Sequence, residues 1–309
     1  MTRWTRRLAP GLLTATLGCG ARSALPVGES PSTHIYVADS GNDRIVRMDD
    51  LTGDGWTTEG GIAGPCGVTL DAQERIYVAG TMTLPLTVLR IDDISGAGGV
   101  SLDGSPSSSG SQGFGLPNGV AVDGSGHIYV VDAVFNRVVR VDDMDGNNWI
   151  PLGGVNAASG TGAFSQPSGI AVSAEGRILV GDLGNHRIVQ ADDISGAGWQ
   201  ELAIPGNPAA SPYGVSFDAS GRIYAVDSQS SVLHRFDSIA GDGAVAFSSP
   251  ALAQLSHVFV HEGGRIFMTM GGGSGVAAMD DMSGAGLTVL GTPGSGVDQF
   301  TRPCGIAVR

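Results

Sequence analysis

The sequence predicts an all-β protein: a six-bladed β-propeller whose blades are four-stranded antiparallel sheets. Three observations lead there. A motif of the form Pro-x-Gly-(Ile/Val)-x-(Val/Phe), then a gap, then Gly-x-Ile-Tyr-Val-x-Asp, recurs along the chain. Glycine supplies 50 of the 309 residues while charged residues make up only 15%, a composition suited to short strands joined by tight turns. The chain also begins and ends on complementary fragments of the same motif.

The motif reads PCGVTLDAQERIYVAG from Pro65, PNGVAVDGSGHIYVVD from Pro117, PSGIAVSAEGRILVGD from Pro167 and PYGVSFDASGRIYAVD from Pro212. A degraded copy, LSHVFVHEGGRIFMTM, starts at Leu255. The starts lie 52, 50, 45 and 43 residues apart, a period that fits blades of four short strands. After each motif come a loop, a strand such as RIVRMDD (Arg44–Asp50), a turn such as LTGDG and a last strand. The strands alternate or run apolar for four to six residues between Gly/Asp/Ser turns. Proline at the start of the innermost strand costs no ladder hydrogen bond.

The ends complete the count. His34–Trp56 begins at the second strand of a repeat, and Arg302–Arg309 is only a first strand. Together they make one blade, which gives six and leaves no open sheet edge. The propeller is expected over residues 34–309.

Ahead of it, Arg3, Arg6 and Arg7 precede a short apolar run, Leu8–Leu17, and then Gly18-Cys19. The run is too short to span a bilayer and reads as the core of a signal peptide over 1–18. Thr16-Leu17-Gly18-Cys19 resembles a bacterial lipobox, which would make Cys19 the lipidated first residue of the mature chain. An ordinary cleaved signal is the alternative. Residues 19–33, rich in Ser, Pro and Gly, read as a flexible tether. The expected location is the bacterial envelope, as a periplasmic or outer-membrane-attached lipoprotein held to the membrane through its lipid alone. The protein is expected to be a monomer.

All 17 basic residues are arginine, so a lysine Schiff base and a Walker-type phosphate loop are excluded. The formal charge of −13 repels phosphate backbones, so nucleic acid is not an expected partner.

The repeat resembles the NHL-repeat family. The resemblance is carried by PxGIAV, GxIYVxD and DxGNxRI, the last present as Asp39–Arg44 and Asp182–Arg187, and it covers nearly the whole mature chain. It implies the propeller fold. It leaves function open, because members include sensor ectodomains, adaptor domains and a few lyases.

Several residue sets could carry chemistry. Asp39/Arg44, Asp132/Arg137 and Asp182/Arg187 share one spacing in three blades, which suits structural ion pairs closing the loop between second and third strands. Paired aspartates, such as Asp49-Asp50, Asp92-Asp93, Asp142-Asp143, Asp192-Asp193 and Asp280-Asp281, precede Gly turns and should make one face of the disc acidic. They could hold Ca²⁺, but Asx-turn capping explains the same residues. The six histidines, His34, His127, His186, His234, His257 and His261, form no recognisable zinc motif. No cofactor is expected, and no catalytic constellation appears.

The residue between Pro and Gly begins each innermost strand, and those starts should ring one mouth of the central channel. Round the ring they are Cys304, Cys66, Asn118, Ser168, Tyr213 and Ser256, with His257 replacing the usual glycine beside Ser256. These are the candidate ligand-binding residues. Cys66 and Cys304 are neighbours at the seam. A disulfide there would lock the ring, provided the Cα atoms come within about 7 Å. Two free thiols would instead mean sensitivity to soft metals or redox state. The long inter-blade loops, Ser105–Leu116, Asn156–Gln166 and Thr292–Thr301, share this face.

The function expected from these observations is a non-catalytic binding scaffold at the envelope, its protein or small-molecule ligand contacting the channel mouth and long loops. The alternative is a metal-dependent hydrolase or lyase like gluconolactonase-type propellers. Those hold a divalent cation with Glu, Asn and Asp at the channel, whereas this mouth offers Asn118 and no acid at an inner-strand start.

Overall fold

The computed structural model describes residues 33–80, 86–103, 113–154 and 160–309. The signal segment, Cys19 and nearly all of the tether lie outside these residues. Six four-stranded antiparallel sheets follow one another round an axis. Blade I joins Pro303–Val308 to Ile35–Asp39, Arg44–Met48 and Thr57–Gly60. Blades II to VI are continuous in sequence, with innermost strands at Val68–Leu70, Pro117–Val122, Pro167–Val172, Pro212–Phe217 and Leu255–Val260. A small parallel pair, Thr292–Pro293 with Gln299–Phe300, sits in the loop entering blade I. No helix among the described residues is long and apolar enough to cross a membrane.

The second strand of each blade is buried along its whole length, as in Ile35–Asp39, Ile128–Asp132 and Ile178–Asp182. A strand sandwiched between neighbouring blades has no solvent face, so it reads as an apolar run rather than an alternation. The outer strands, such as Thr57–Gly60, are short and largely exposed.

The core is therefore a ring rather than a single centre. Six apolar clusters lie one at each junction between neighbouring blades. The junction between blades VI and I packs Phe267, Val276 and Ala278 against Ile35, Val37, Ile306 and Val308. Closure by the C-terminal strand creates this sixth cluster. The seam pairs Ile35↔Val308 through Val37↔Ile306 and then shifts by one residue to Asp39↔Pro303. Beyond it, His34 and Arg309 exchange backbone hydrogen bonds of 2.7 and 2.9 Å.

Five innermost strands carry a register shift at Pro-x-Gly or its equivalent. In blade IV, Pro167 faces Asp182 but Ile170 faces Val180, so one extra residue is accommodated as a bulge. The bulge re-aims the residue after proline, which is the position predicted to ring the mouth.

Antiparallel pairing fixes the two ends of the disc. Inner-strand starts, inter-blade loops and the turns between second and third strands share one end. The turns after the inner strands and the paired-aspartate turns share the other.

Candidate functional site: the two ends of the channel

Glycine sets the geometry of the axis. A Cβ at Gly305 would lie 2.2 Å from the Cys66 carbonyl oxygen, and one at Gly67 would lie 2.9 Å from the Gly119 Cα. At Gly169 it would meet the Tyr213 oxygen at 2.4 Å, and at Gly214 the His257 Cα at 2.5 Å. Adjacent inner strands therefore touch backbone to backbone, and side chains are excluded at these positions. This contact brings neighbouring x positions unusually close. Cys66 and Cys304 form a disulfide with a Cα–Cα distance of 4.9 Å across a sequence separation of 238.

The predicted ring divides into two groups. Ser168 and Ser256 turn away from the axis to stitch blades together. The Ser168 hydroxyl donates to the Tyr213 carbonyl at 2.8 Å, and that of Ser256 donates to the Pro303 carbonyl at 3.1 Å. Cys66, Cys304, Asn118, Tyr213 and His257 come together. Tyr213 reaches from blade V to blade III, where Asn118 Nδ2 donates to its hydroxyl at 3.2 Å. The same hydroxyl lies 3.6 Å from Cys66 Sγ and 3.9 Å from Cys304 Sγ. Burial holds the Tyr213 phenol above its usual pKa, with the Asn118 hydrogen bond pulling the other way. The mouth is thus plugged by its own polar groups.

His257 sits under the plug, its ring edge-on to Tyr213 at 5.3 Å and 82°. Neither ring nitrogen makes a hydrogen bond, and both are buried. Burial depresses its pKa from 6.5 to about 4, and the nearby Cys304 backbone opposes this only weakly. The sign of the consequence follows. Above pH 6.5 the residue is neutral both folded and unfolded. As pH falls towards 4, only the unfolded chain takes up the proton, so stability is lost across this window, by roughly 3 kcal/mol. His257→Phe should flatten the denaturation midpoint between pH 6.5 and 4 relative to the wild type. An unchanged pH profile would show that His257 does not carry the effect.

Below His257 the channel is open. A cavity of about 820 Å³ runs to the acidic end of the disc, lined by the inner strands from Gly67, Gly119 and His257 down to Asp71, Asp123, Glu262 and Arg309. A second, smaller pocket of about 460 Å³ lies on the loop face between blades III and IV, among Leu116, Asn118, Val134, Asn136, Gln166 and Leu183. Val134 is 55% exposed there.

The predicted Asp/Arg pairs are present at 2.8 Å (Asp39–Arg44), 3.1 Å (Asp132–Arg137) and 2.8 Å (Asp182–Arg187), with all three carboxylates buried. Their reach exceeds the loop between second and third strands. Each carboxylate also accepts backbone N–H groups from the end of the incoming inter-blade loop: Thr301 to Asp39, Gly115 and Leu116 to Asp132, Ser165 to Asp182. Each guanidinium donates back to that loop's carbonyls, Gln299, Gly113 and Ala163. It also stacks on a tryptophan (Trp56, Trp149 or Trp199) at 5.5–5.8 Å. The tryptophan packs on a phenylalanine from the loop (Phe300, Phe114 or Phe164) at 5.1–5.2 Å. Sequence reasoning missed the aromatic half of this anchor. Its signal was a constant Phe-x-x-Pro spacing in GFGLP, AFSQP and QFTRP. Among the described residues, then, the three long inter-blade loops enter their blades through one shared clamp.

At the acidic end, the second aspartate of each pair caps its turn. Asp50, Asp93, Asp143, Asp193 and Asp281 accept the N–H two residues on at 2.7–3.0 Å. Side-chain hydrogen bonds from Ser95, Asn147, Ser195 and Ser283, with these backbone bonds second, hold Asp93, Asp143, Asp193 and Asp281 below the usual carboxylate pKa. In blades I and III the first aspartate pairs with an arginine of the third strand, Arg47–Asp49 and Arg140–Asp142, both at 2.6 Å. Among the described residues no three His, Cys, Asp or Glu side chains gather as a metal site would require.

Comparison with known proteins agrees with this architecture. Residues 164–190 match the NHL repeat model; they span the loop anchor and first strands of blade IV. No curated protein matches the sequence. Among solved structures, a chain of a nidogen/laminin complex superposes with a TM-score of 0.68 at 19% identity, covering 90% of this chain and 98% of that one. A streptogramin B lyase gives 0.61 at 14% identity, covering 92% and 89%. Virginiamycin B lyase from Staphylococcus aureus gives 0.58 at 17%, covering 88% and 84%. At these identities the likeness is one of fold. With an NHL repeat matched over residues 164–190 and six four-stranded blades round one axis, the chain is a six-bladed β-propeller that carries an NHL repeat in blade IV.

Proposed function

We propose that the protein is a non-catalytic interaction scaffold of the bacterial envelope, tethered through a lipid on Cys19, that engages a protein partner with its loop face. The pocket between blades III and IV carries this reading. It is concave, it exposes Val134, and the long loops bordering it are clamped into their blades. Recognition surfaces are commonly built from loops on a rigid scaffold. In blade III the turn reads Ala133-Val134-Phe135, where blade I has Ser40-Gly41-Asn42, so apolar side chains replace small polar ones at this site.

Two further features support it. The polar groups of the mouth are spent on one another, which favours binding over a metal-dependent hydrolase or lyase. Thr33, the first described residue, lies against the cavity at the acidic end, so a tether running to a membrane leaves from the face opposite the loops. The chain from the nidogen/laminin complex shows that a propeller of this fold can occur in a complex with another protein.

The test is affinity capture from envelope extract with wild type and Val134→Asp. Val134 is exposed, so the change should leave the fold intact. A partner retained by the wild type and lost, by at least tenfold, from Val134→Asp is expected. Equal recovery from both would overturn the loop-face assignment. In the same preparations, Cys19→Ser should move the protein from the membrane to the soluble fraction.

A further inference from the structure

The 820 Å³ cavity at the acidic end is not used by the loop-face reading and stands on separate observations. Its size falls within the usual range for small-molecule sites, about 300–1,000 Å³. Its walls offer polar and apolar surface in equal measure, the apolar part from side chains such as Val120, Ile170, Val215 and Val258. It is blind, because the Tyr213–Asn118 plug closes the far end of the channel.

Two groups in it lack side-chain partners among the described residues. At the floor, His257 replaces the glycine of the repeat and places an imidazole where the other blades have none. Both of its nitrogens are buried without a hydrogen bond. A buried polar group left unpaired is costly and rare in a folded protein. His257 is among the residues that line the cavity. At the rim, Asp71 is bonded by Arg75, Asp123 by His127 and Glu74 by Arg309, while Glu262 is exposed and has no ion pair among the described residues. The rim faces the same direction as the paired-aspartate turns of a chain with formal charge −13, a field that concentrates cations.

We infer that the cavity is a binding site for a small organic cation: an apolar body along the inner strands, an ammonium group at the Glu262 rim, and an uncharged hydrogen-bonding group paired with His257. The plug makes this a site with one entrance, separate from the loop face.

Dansylcadaverine carries these three features and reports its own burial by fluorescence. Titrated into the purified protein, it should show saturable enhancement with a blue shift. Dansylglycine, which ends in a carboxylate, should bind at least tenfold more weakly. His257→Phe should weaken dansylcadaverine about tenfold, the size expected for losing one buried hydrogen bond. Glu262→Gln, an exposed change that leaves the fold intact, should weaken it about threefold. Val134→Asp should bind it like wild type, so a failure of the loop-face reading is distinguishable from a failure here. Absence of saturable binding overturns the inference. So does equal affinity for the cationic and anionic probes. If His257→Phe does not fold, the Glu262→Gln and dansylglycine comparisons decide on their own, and wild-type affinity in both overturns it.

Discussion

Deleting residues 303–309 should make the protein aggregate. The deleted strand pairs with Ile35–Asp39 along its length. It also places Ile306 and Val308, 5% and 6% exposed, in the cluster between blades VI and I. Burial of each such side chain contributes roughly 1.5–3 kcal/mol. The deletion removes the Cys66–Cys304 cross-link as well, which spans a sequence separation of 238. Restricting the unfolded chain over a loop of that length stabilises by about 5 kcal/mol on a chain-entropy reckoning. Together these approach or exceed the 5–15 kcal/mol that typically holds a domain folded. The exposed edge of Ile35–Asp39 would then be a template for pairing with other chains. Cys304→Ser separates the two contributions. It keeps the strand and loses only the cross-link, so it should remain monomeric with a lower denaturation midpoint. Size-exclusion chromatography and chemical denaturation of the two variants provide the check. A chain ending at Arg302 that stays monomeric and as stable as wild type would sink the idea that closure depends on the C-terminal strand.

The blades were legible because every blade must bury the same faces against its neighbours, which forces a repeated sequence. IYVAD, IYVVD and IYAVD are nearly interchangeable for that reason. The split blade was legible for the same reason, since His34–Trp56 lacks only the strand that Arg302–Arg309 supplies. Distances at the axis were not. The glycine after Pro-x was visible in each repeat, but its role is steric. It lets backbones meet, and that contact brings Cys66 within disulfide reach of Cys304. The reach of Tyr213 was equally hidden. Nothing in PYGVSF tells how far a phenol extends across a channel whose width is set by five other strands as well. The mouth could be located from the repeat, whereas its being filled depended on two bulky residues, Tyr213 and His257, standing at positions where other blades have smaller ones. The aromatic half of the loop anchors was present in the letters. Phe114, Phe164 and Phe300 each precede their proline by three residues, but their tryptophans lie one strand order away, and only the fold brings them together.

These anchors give the second large expected effect. Asp182→Ala should destabilise the protein by about 3–5 kcal/mol, the usual cost of removing one partner from a buried pair. The carboxylate is fully buried and accepts from Arg187 Nε at 2.8 Å, Asn185 Nδ2 at 2.8 Å and the Ser165 N–H at 2.7 Å. Removing it strands the Arg187 guanidinium, whose side chain is only 8% exposed. Arg187 retains Glu201, Ala163 and Trp199, which moderates the loss. Asp182→Asn keeps an acceptor for Ser165 and should cost less than Asp182→Ala. Asp182→Leu combined with Arg187→Met removes both charges together and should recover part of the stability. The structural consequence should be local, because the Asp182 bonds hold the end of the loop entering blade IV. Amide exchange should rise at 160–166 in Asp182→Ala while Ile35–Asp39, across the ring, keeps its protection. A loss of stability below 1 kcal/mol would contradict a clamping role for the pair. Exchange that rose uniformly round all six blades would show that the pair holds the ring as a whole, so the loop would not be its specific charge. The same clamp recurs at Asp39 and Asp132, so Asp132→Ala should loosen 113–116 in the same way. That would put the rigidity of the blade III–IV pocket under the control of two buried carboxylates, neither of which is exposed to a partner.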